Sequence, residues 1–396
     1  MTARPKARPE AIRGGQPLVV YGPWSLRYDF GAGHPLTPRR FGPGISLMEA
    51  LGADRFVGPE PASDVDLRLI HTGRYIETVK LASGDQFSAG MAGLGPGDNP
   101  IFPGMHEAAA AVAGGSLAAM DRLLDGSETH AFHPGGGLHH AMADRASGFC
   151  VYNDPALAIA RARQAGLRVL YVDLDVHHGD GVQAAFWDDP AVMTISLHES
   201  GNYLFPGTGS AREMGGRDAV GTAVNMPFEP GTSDGDWLAA LERLVPPLAL
   251  AHRPDLLVTQ HGCDSHAFDP LAHMLLTTRA MHRATRLLDE LAHRHCGGRW
   301  LATGGGGYDI YRVVPRSWAL VWSAQAHHEP DDVLPEAWRA RWAADAEREG
   351  RTPIPERLLD PADMVRHDPA VSQVNARTLD AVERTVRALL VRQAPA

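Results

Sequence analysis

The chain has 396 residues, 44% of them hydrophobic, and a formal net charge of −10 at pH 7. That length and apolar content suit one large α/β domain with an appendage. The acidic balance leaves no basic field for non-specific nucleic-acid binding, and no apolar run is long enough to span a bilayer.

Residues 1–17 are polar and dotted with proline, a loose arm without the apolar core of a signal peptide. From Leu18 onward short apolar runs alternate with amphipathic stretches, the pattern of β-α-β units. Residues 85–104 and 199–217 are rich in glycine and proline and are expected as long loops over the sheet edge. Asn153 or Asp154 caps a helix with Pro155 at its start, which runs to Gln164 and stops at Gly166. Leu167 to Val176 follows as a strand. Met281, Ala284, Leu287, Leu288 and Leu291 have helical spacing and read as core, and the next strand begins near Trp300. Beyond Gln325 the composition predicts packed helices over 326–396, one use of which is an oligomer contact; the oligomeric state stays open. The three cysteines, Cys150, Cys263 and Cys296, make no disulfide framework and point to a reducing compartment, the cytoplasm.

The most informative stretch runs from Tyr171 to Asp180. If extended, it puts Val169, Tyr171, Asp173, Asp175 and His177 on one face and Leu170, Val172, Leu174 and Val176 on the other. An interior strand gains nothing from two carboxylates and an imidazole unless they are paired or hold a cation. Asp-x-His places two metal ligands at neighbouring positions of that face. The alternative is a run of caps and turn residues at a strand-to-helix junction. Three further clusters favour the metal. Gly136-Gly-Leu-His-His140 carries tandem histidines in a glycine-rich loop, followed by Ala146 to Asp154. Asp255 to Asp264 is an apolar strand ending in a carboxylate. Thr303-Gly-Gly-Gly-Gly-Tyr308 is a strand end that leads to a phenol. All fall where open α/β sheets bind ligands, at strand C-termini.

These segments resemble the histone deacetylase superfamily, including its bacterial acetoin-utilisation (AcuC-like) deacetylases. The matching pieces are His34-Pro-Leu-Thr-Pro38, Gly97-Asp-Asn-Pro100, Gly136 to Asp154, Tyr171 to Gly181, Phe205-Pro-Gly-Thr-Gly209, Asp264 and Gly304 to Tyr308, in the family's order across residues 18–325. The resemblance implies the arginase/deacetylase fold, a single domain with a parallel sheet of about eight strands flanked by helices. It also implies a metal-dependent hydrolase of acetylated amines.

Asp175, His177 and Asp264 are the expected metal ligands, both from their chemistry and from the resemblance. Two carboxylates and one imidazole leave room for water and a substrate carbonyl, as a catalytic zinc requires. Without a thiolate, Fe(II) or another divalent ion suits the set as well. His140 is the expected general base and His139 its electrostatic partner, oriented by Asp180 and Asp173 respectively. Tyr308 is expected to donate a hydrogen bond to the tetrahedral oxyanion. By resemblance, Gly148, Phe149 and Phe205 wall a narrow passage, Asp98 is a rim carboxylate for peptide amides, and Leu271 occupies a rim position. Arg40 corresponds to an arginine in an internal cavity through which acetate leaves. The family also holds potassium through backbone carbonyls around Asp173, Asp175, His177, Ser196 and Leu197. His178 is expected to point away as a structural residue, and Cys150 and Cys263 to be small buried residues.

Gly97, where nuclear relatives often carry an aromatic, and the reshaped Glu199 to Leu204 loop depart from the family pattern and bear on peptide preference. The leading reading is an amidohydrolase acting on acetyl-lysine of cytosolic proteins or peptides; the alternative is an acetylpolyamine amidohydrolase. Arginase-like chemistry wants a binuclear site with more aspartates. A non-catalytic acyl binder has no use for the full set of ligands, histidine pair and tyrosine.

Overall fold

The computed structural model describes residues 15–84 and 91–393, so most of the proposed N-terminal arm and the first part of the 85–104 loop lie outside the described residues. Eight strands form one sheet: β1 (Leu18–Val20), β2 (Phe56–Val57), β3 (His130–His133), β4 (Val169–Asp173), β5 (Val192–Glu199), β6 (Ala223–Phe228), β7 (Leu256–Gln260) and β8 (Trp300–Thr303). Their order is β2-β1-β3-β8-β7-β4-β5-β6, and every pairing is parallel.

A parallel sheet must be covered on both faces, so its strands are buried along their length. All eight residues of β5, Val-Met-Thr-Ile-Ser-Leu-His-Glu, are buried. The covering helices in chain order are α1 (Phe41–Ala50), α2 (Asp64–Leu67), α3 (Gly73–Gly84), α4 (Met105–Asp125), α5 (Asp154–Gln164), α6 (Asp180–Ala185), α7 (Asp234–His252), α8 (Thr278–Cys296), α9 (Val314–Gln325), α10 (Glu336–Arg348) and α11 (Pro369–Gln393). Val169 and Tyr171 of β4 pack with Met120 of α4 and Ile159 of α5. Leu170 and Val172 pack in the opposite core, with Leu244 of α7, Leu288 of α8 and Trp318 of α9. The result is a three-layer α/β/α arrangement whose strands all end on one side.

The α5 expectation holds in detail. Asn153 caps the helix by accepting the Ala156 N–H at 3.0 Å, and Gly166 follows with φ +78°. The strand predicted over Leu167–Val176 is shorter than expected, because side chains take over its backbone partners. Asp173 Oδ1 accepts the Asp175 N–H at 3.2 Å, Asp175 Oδ1 accepts that of His177 at 3.0 Å, and Asp264 Oδ1 accepts that of Val176 at 3.0 Å. Such side-chain bonds compete with a ladder and turn the chain. The inside/outside pattern nevertheless persists, since Leu174 and Val176 remain in the same core as Leu170 and Val172. Likewise β7 stops at Gln260, and Asp264 lies in the loop beyond it.

The C-terminal helices pack on this body. Trp338 of α10 donates its indole N–H to the Pro43 carbonyl at 3.0 Å, and Leu379, Val382 and Val386 of α11 enter the core that holds α7. Asn375 Oδ1 accepts the Glu229 N–H at 3.0 Å, just beyond β6.

Candidate active site

The turn after β4 and the loop after β7 bring Asp175, His177 and Asp264 together, their ligand atoms within 4.8 Å of one another. His177 Nδ1 lies 3.0 Å from Asp175 Oδ1 and 3.1 Å from Asp264 Oδ2. Both carboxylates are fully buried. Burial, then the charge of Asp175, pushes Asp264 up to about 6. Burial acts in the same sense on Asp175, but His139 and His177 outweigh it and hold that carboxyl well below its usual range. His177 is desolvated, yet its bonds to the two carboxylates raise it to about 10. Two buried carboxylates facing one imidazole call for a cation, and the donor set fits a divalent ion with nitrogen and oxygen ligands.

The surroundings fit it too. Gln260 Nε2 and the Gly306 N–H donate to Asp175 Oδ2 at 2.7 and 2.8 Å, which fixes that carboxylate and leaves Oδ1 towards His177. A Cβ at Gly306 would fall 1.9 Å from Asp264 Oδ2, and one at Gly262 would fall 2.0 Å from Asp175 Oδ2. Glycine at both positions is what lets the carboxylates close in.

The tandem histidines stand beside this group. His139 Nδ1 meets Asp173 Oδ2 at 2.8 Å, and His140 Nδ1 meets Asp180 Oδ1 at 2.7 Å. Their Nε2 atoms are 3.0 Å apart. Burial disfavours both cations, but Asp173 and Asp175 raise His139 to about 9. For His140, burial is reinforced by His139 and His177, and its pKa lies well below the ordinary value. Asp180 is lifted by burial to about 6. One ring therefore carries the proton and the other is free to accept one.

Tyr308 lines a cavity together with His140, Phe149, Asp175, His177 and Gly306. Burial, then the charges of Asp264, Asp175 and Asp269, keeps its phenol protonated far above neutrality. Phe149, at φ +67°, sets its ring 6.0 Å from Tyr308. The Phe205 ring stands 5.0 Å from His140, and a Cβ on Gly148 would strike both rings, at 2.5 Å from His140 and 2.7 Å from Phe205. The three expected wall residues are thus at the histidine pair.

Behind the site, Arg40 is buried and donates to the Gly305 carbonyl at 2.7 Å, with its guanidinium 5.5 Å from the Trp318 ring. It lines a second cavity with Tyr28, Leu36, His133 and Leu138. Asp98 and Leu271 do not line the metal cavity. Asp98 is exposed, and its carbonyl accepts from His34 Nε2 at 3.3 Å, the His34 ring lying 4.6 Å from Phe149. Leu271 is half-buried and gives its N–H to Asp269 Oδ1 at 3.0 Å. His178 is buried against Thr208 and Gln183 and away from the metal group, and the three cysteines are buried and free.

Four residues support the site in ways the sequence does not assign to them. Asp269 Oδ2 accepts the Tyr308 N–H at 2.8 Å, and burial with the Asp264 charge raises this carboxyl to about 8. Gln260 fixes Asp175, and the Tyr171 hydroxyl donates to Asp173 Oδ2 at 2.7 Å. Asp154 accepts the N–H groups of Gly137 and Leu138 at 3.0 and 2.8 Å, fixing the loop ahead of His139; burial lifts it to about 6. Asp269 stands before Pro270 in a loop that also holds Asp264, Ser265 and His266, so nothing in the sequence separates it from an ordinary turn residue.

Comparison with known proteins agrees with this geometry. The histone deacetylase domain profile matches residues 34–325. The acetoin utilization protein AcuC of Bacillus subtilis is 40% identical over 380 residues, 93% of this chain and 97% of the relative. The protein of the same name from Staphylococcus xylosus is 37% identical, covering 78% of this chain and 83% of the relative. Among solved structures, an HDAC homologue from Aquifex aeolicus superposes with a TM-score of 0.82 at 28% identity, over 93% of this chain and all of that one.

Proposed function

The chain belongs to the histone deacetylase family, and from that premise we propose that it removes acetyl groups from N6-acetyl-lysine of cytoplasmic proteins by metal-assisted water attack. The observation that carries this reading is the convergence of Asp175, His177 and Asp264 with the His139–His140 pair and Tyr308 at one cavity. The three ligands would hold zinc, with Fe(II) or another divalent ion as the alternative. The ion, when bound, supplies a Lewis acid and an acidified water.

The chain's own residues then have separate tasks. His140, neutral and fixed through Nδ1 by Asp180, takes the proton of the attacking water at Nε2 and returns it to the departing amine. His139, cationic beside Asp173, keeps its charge and favours the negative charge that builds on the substrate. Tyr308, held by Asp269 through its backbone, donates its phenolic hydrogen to the oxyanion. Phe149 and Phe205 grip the methylenes of the lysine side chain and exclude water around it. Arg40, with a carbonyl and an aromatic face but, among the described residues, no carboxylate at hydrogen-bond distance, suits the departing acetate. Potassium at the β4–β5 strand ends belongs to the same proposal, since Asp173 is paired opposite Ser196 there.

The test is a side-by-side screen of metal-reconstituted protein against acetyl-lysine peptides, longer acyl-lysines and acetylpolyamines. The highest kcat/KM on acetyl-lysine peptides supports the reading. A preference for acetylpolyamines, or no hydrolysis of any amide, overturns it.

A further inference from the structure

A second group of ligating side chains lies at the opposite edge of the sheet. His130 is the first residue of β3, so it sits at the N-terminal edge, away from the catalytic loops. Asp289 and His293 are one turn apart on α8, and His327 follows α9 with a left-handed φ of +49°. Among the described residues, only this group and the catalytic trio bring three or more ligating side chains to one point.

The geometry is that of a coordination shell. Asp289 Oδ1 is 3.2 Å from His130 Nε2, 3.3 Å from His293 Nε2 and 3.2 Å from His327 Nε2. Four ligands at zinc distances of about 2.0–2.1 Å, arranged as a tetrahedron, stand ~3.3 Å from one another. The catalytic trio shows similar spacings, 3.0 and 3.1 Å. Hydrogen bonding alone accounts poorly for the arrangement. Three imidazole nitrogens share one carboxylate oxygen, and His293 Nε2 lies 2.9 Å from His327 Nε2, too close for both to carry hydrogens. At least one therefore directs a lone pair inward, as a ligand does. His130 Nδ1 is 3.2 Å from Thr129 Oγ1, an outer contact that suits an Nδ1–H tautomer and leaves Nε2 for a cation.

We propose that His130, Asp289, His293 and His327 form a second metal site, for a divalent transition ion with imidazole preference, zinc foremost. Three imidazoles and one carboxylate complete four-fold coordination, so this is a closed, structural site. It ties β3, α8 and the segment after α9, with His130 and Asp289 159 positions apart in the chain. His130 and Asp289 form its floor, while the side chains of His293 and His327 are 34% and 38% exposed, which gives the ion an entry. Binding to the folded chain alone adds stability by mass action.

The test uses the full chain, stripped by chelator and titrated with Co²⁺ or Zn²⁺, with bound metal counted per chain. The His293→Ala/His327→Ala pair alters two partly exposed side chains, and circular dichroism confirms its fold. The pair should bind one equivalent fewer than its parent, both in the wild type and in an Asp264→Asn background. In that background Zn²⁺ should raise the Tm of the parent and leave that of the pair unchanged. Asp289→Asn, nearly isosteric, should weaken the extra Co²⁺ equivalent at least tenfold and so decides the matter if the alanine pair does not fold. Equal metal counts in parent and variant pair, or unchanged Co²⁺ affinity in Asp289→Asn, overturns the site. Neither readout depends on deacetylation, so the two readings fail separately.

Discussion

His139 and His140 are neighbours in the chain, yet their Nδ1 atoms go to different carboxylates, Asp173 and Asp180, while their Nε2 atoms meet at 3.0 Å. Two cations cannot share that distance in a buried site, so the pair holds at most one positive charge between unequal rings. His140→Ala should therefore lower kcat by about a hundredfold or more, within the range of general acid–base catalysis, and His139→Ala by less. Steady-state kinetics on metal-replete variants measures both; a larger loss in His139→Ala would exchange their roles.

Asp264→Asn or His177→Ala should abolish activity and lower the bound metal by one equivalent, because a three-ligand site cannot spare a strong ligand. Metal analysis of the purified variants checks this. Undiminished metal in both would mean that the ligands lie elsewhere.

Tyr308→Phe should keep its metal and lose about a hundredfold or more in kcat, on the order of 3 kcal/mol, the cost of one oxyanion donor. KM should change little. A variant with unimpaired kcat would remove the phenol from the reaction.

In the proposed function Leu271 and Asp98 are rim residues; a leucine there would offer no anion to a polyamine, whereas Asp98 would offer acceptors to peptide N–H groups. Acetyl-lysine peptides should be preferred over acetylspermidine by about tenfold, or ~1.4 kcal/mol. Leu271→Glu should narrow that margin. Ratios of kcat/KM for the two substrates in wild type and variant decide it; an unchanged ratio would detach Leu271 from the choice.

Acid should destabilise the fold through buried neutral histidines. Burial lowers His71 and His252 to about 4 and His133 and His261 to about 3, while the unfolded chain titrates near the ordinary 6.5. A depressed folded pKa means stability that is complete above 6.5 and lost as pH falls towards 4 and below, at up to about 1.4 kcal/mol per pH unit per group. Urea midpoints should fall between pH 7.5 and 5, less steeply in His252→Gln. Buried carboxyls raised to about 6 to 8, such as Asp154 and Asp269, oppose this trend, so the comparison with the variant decides: an equal slope in His252→Gln and wild type would contradict the assignment.

The clustering of Asp175, His177 and Asp264 beside the His139–His140 pair was legible in the sequence because carboxylates and imidazoles at the ends of apolar strands have few other uses. Asp269, Gln260 and Asp154 were not, because they act on backbone N–H groups and on other side chains, as any turn or cap residue does. Asp154 even passed as a cap candidate, while Asn153 takes that role. The β4 strand was drawn too long because Leu174 and Val176 continue the apolar pattern into the turn that Asp173 and Asp175 create. His130, Asp289, His293 and His327 carry no compact motif. They come from three separate elements in a chain with 20 histidines, and only the fold selects them.

Asp154 opens α5 and at the same time closes its carboxylate on Gly137 and Leu138. The first turn of that helix is therefore tied directly to the loop that carries His139 and His140. In hydrogen exchange the amides of Gly137 and Leu138 should share the protection of α5, and a substitution on the distant face of that helix should loosen the loop that carries His139 and His140.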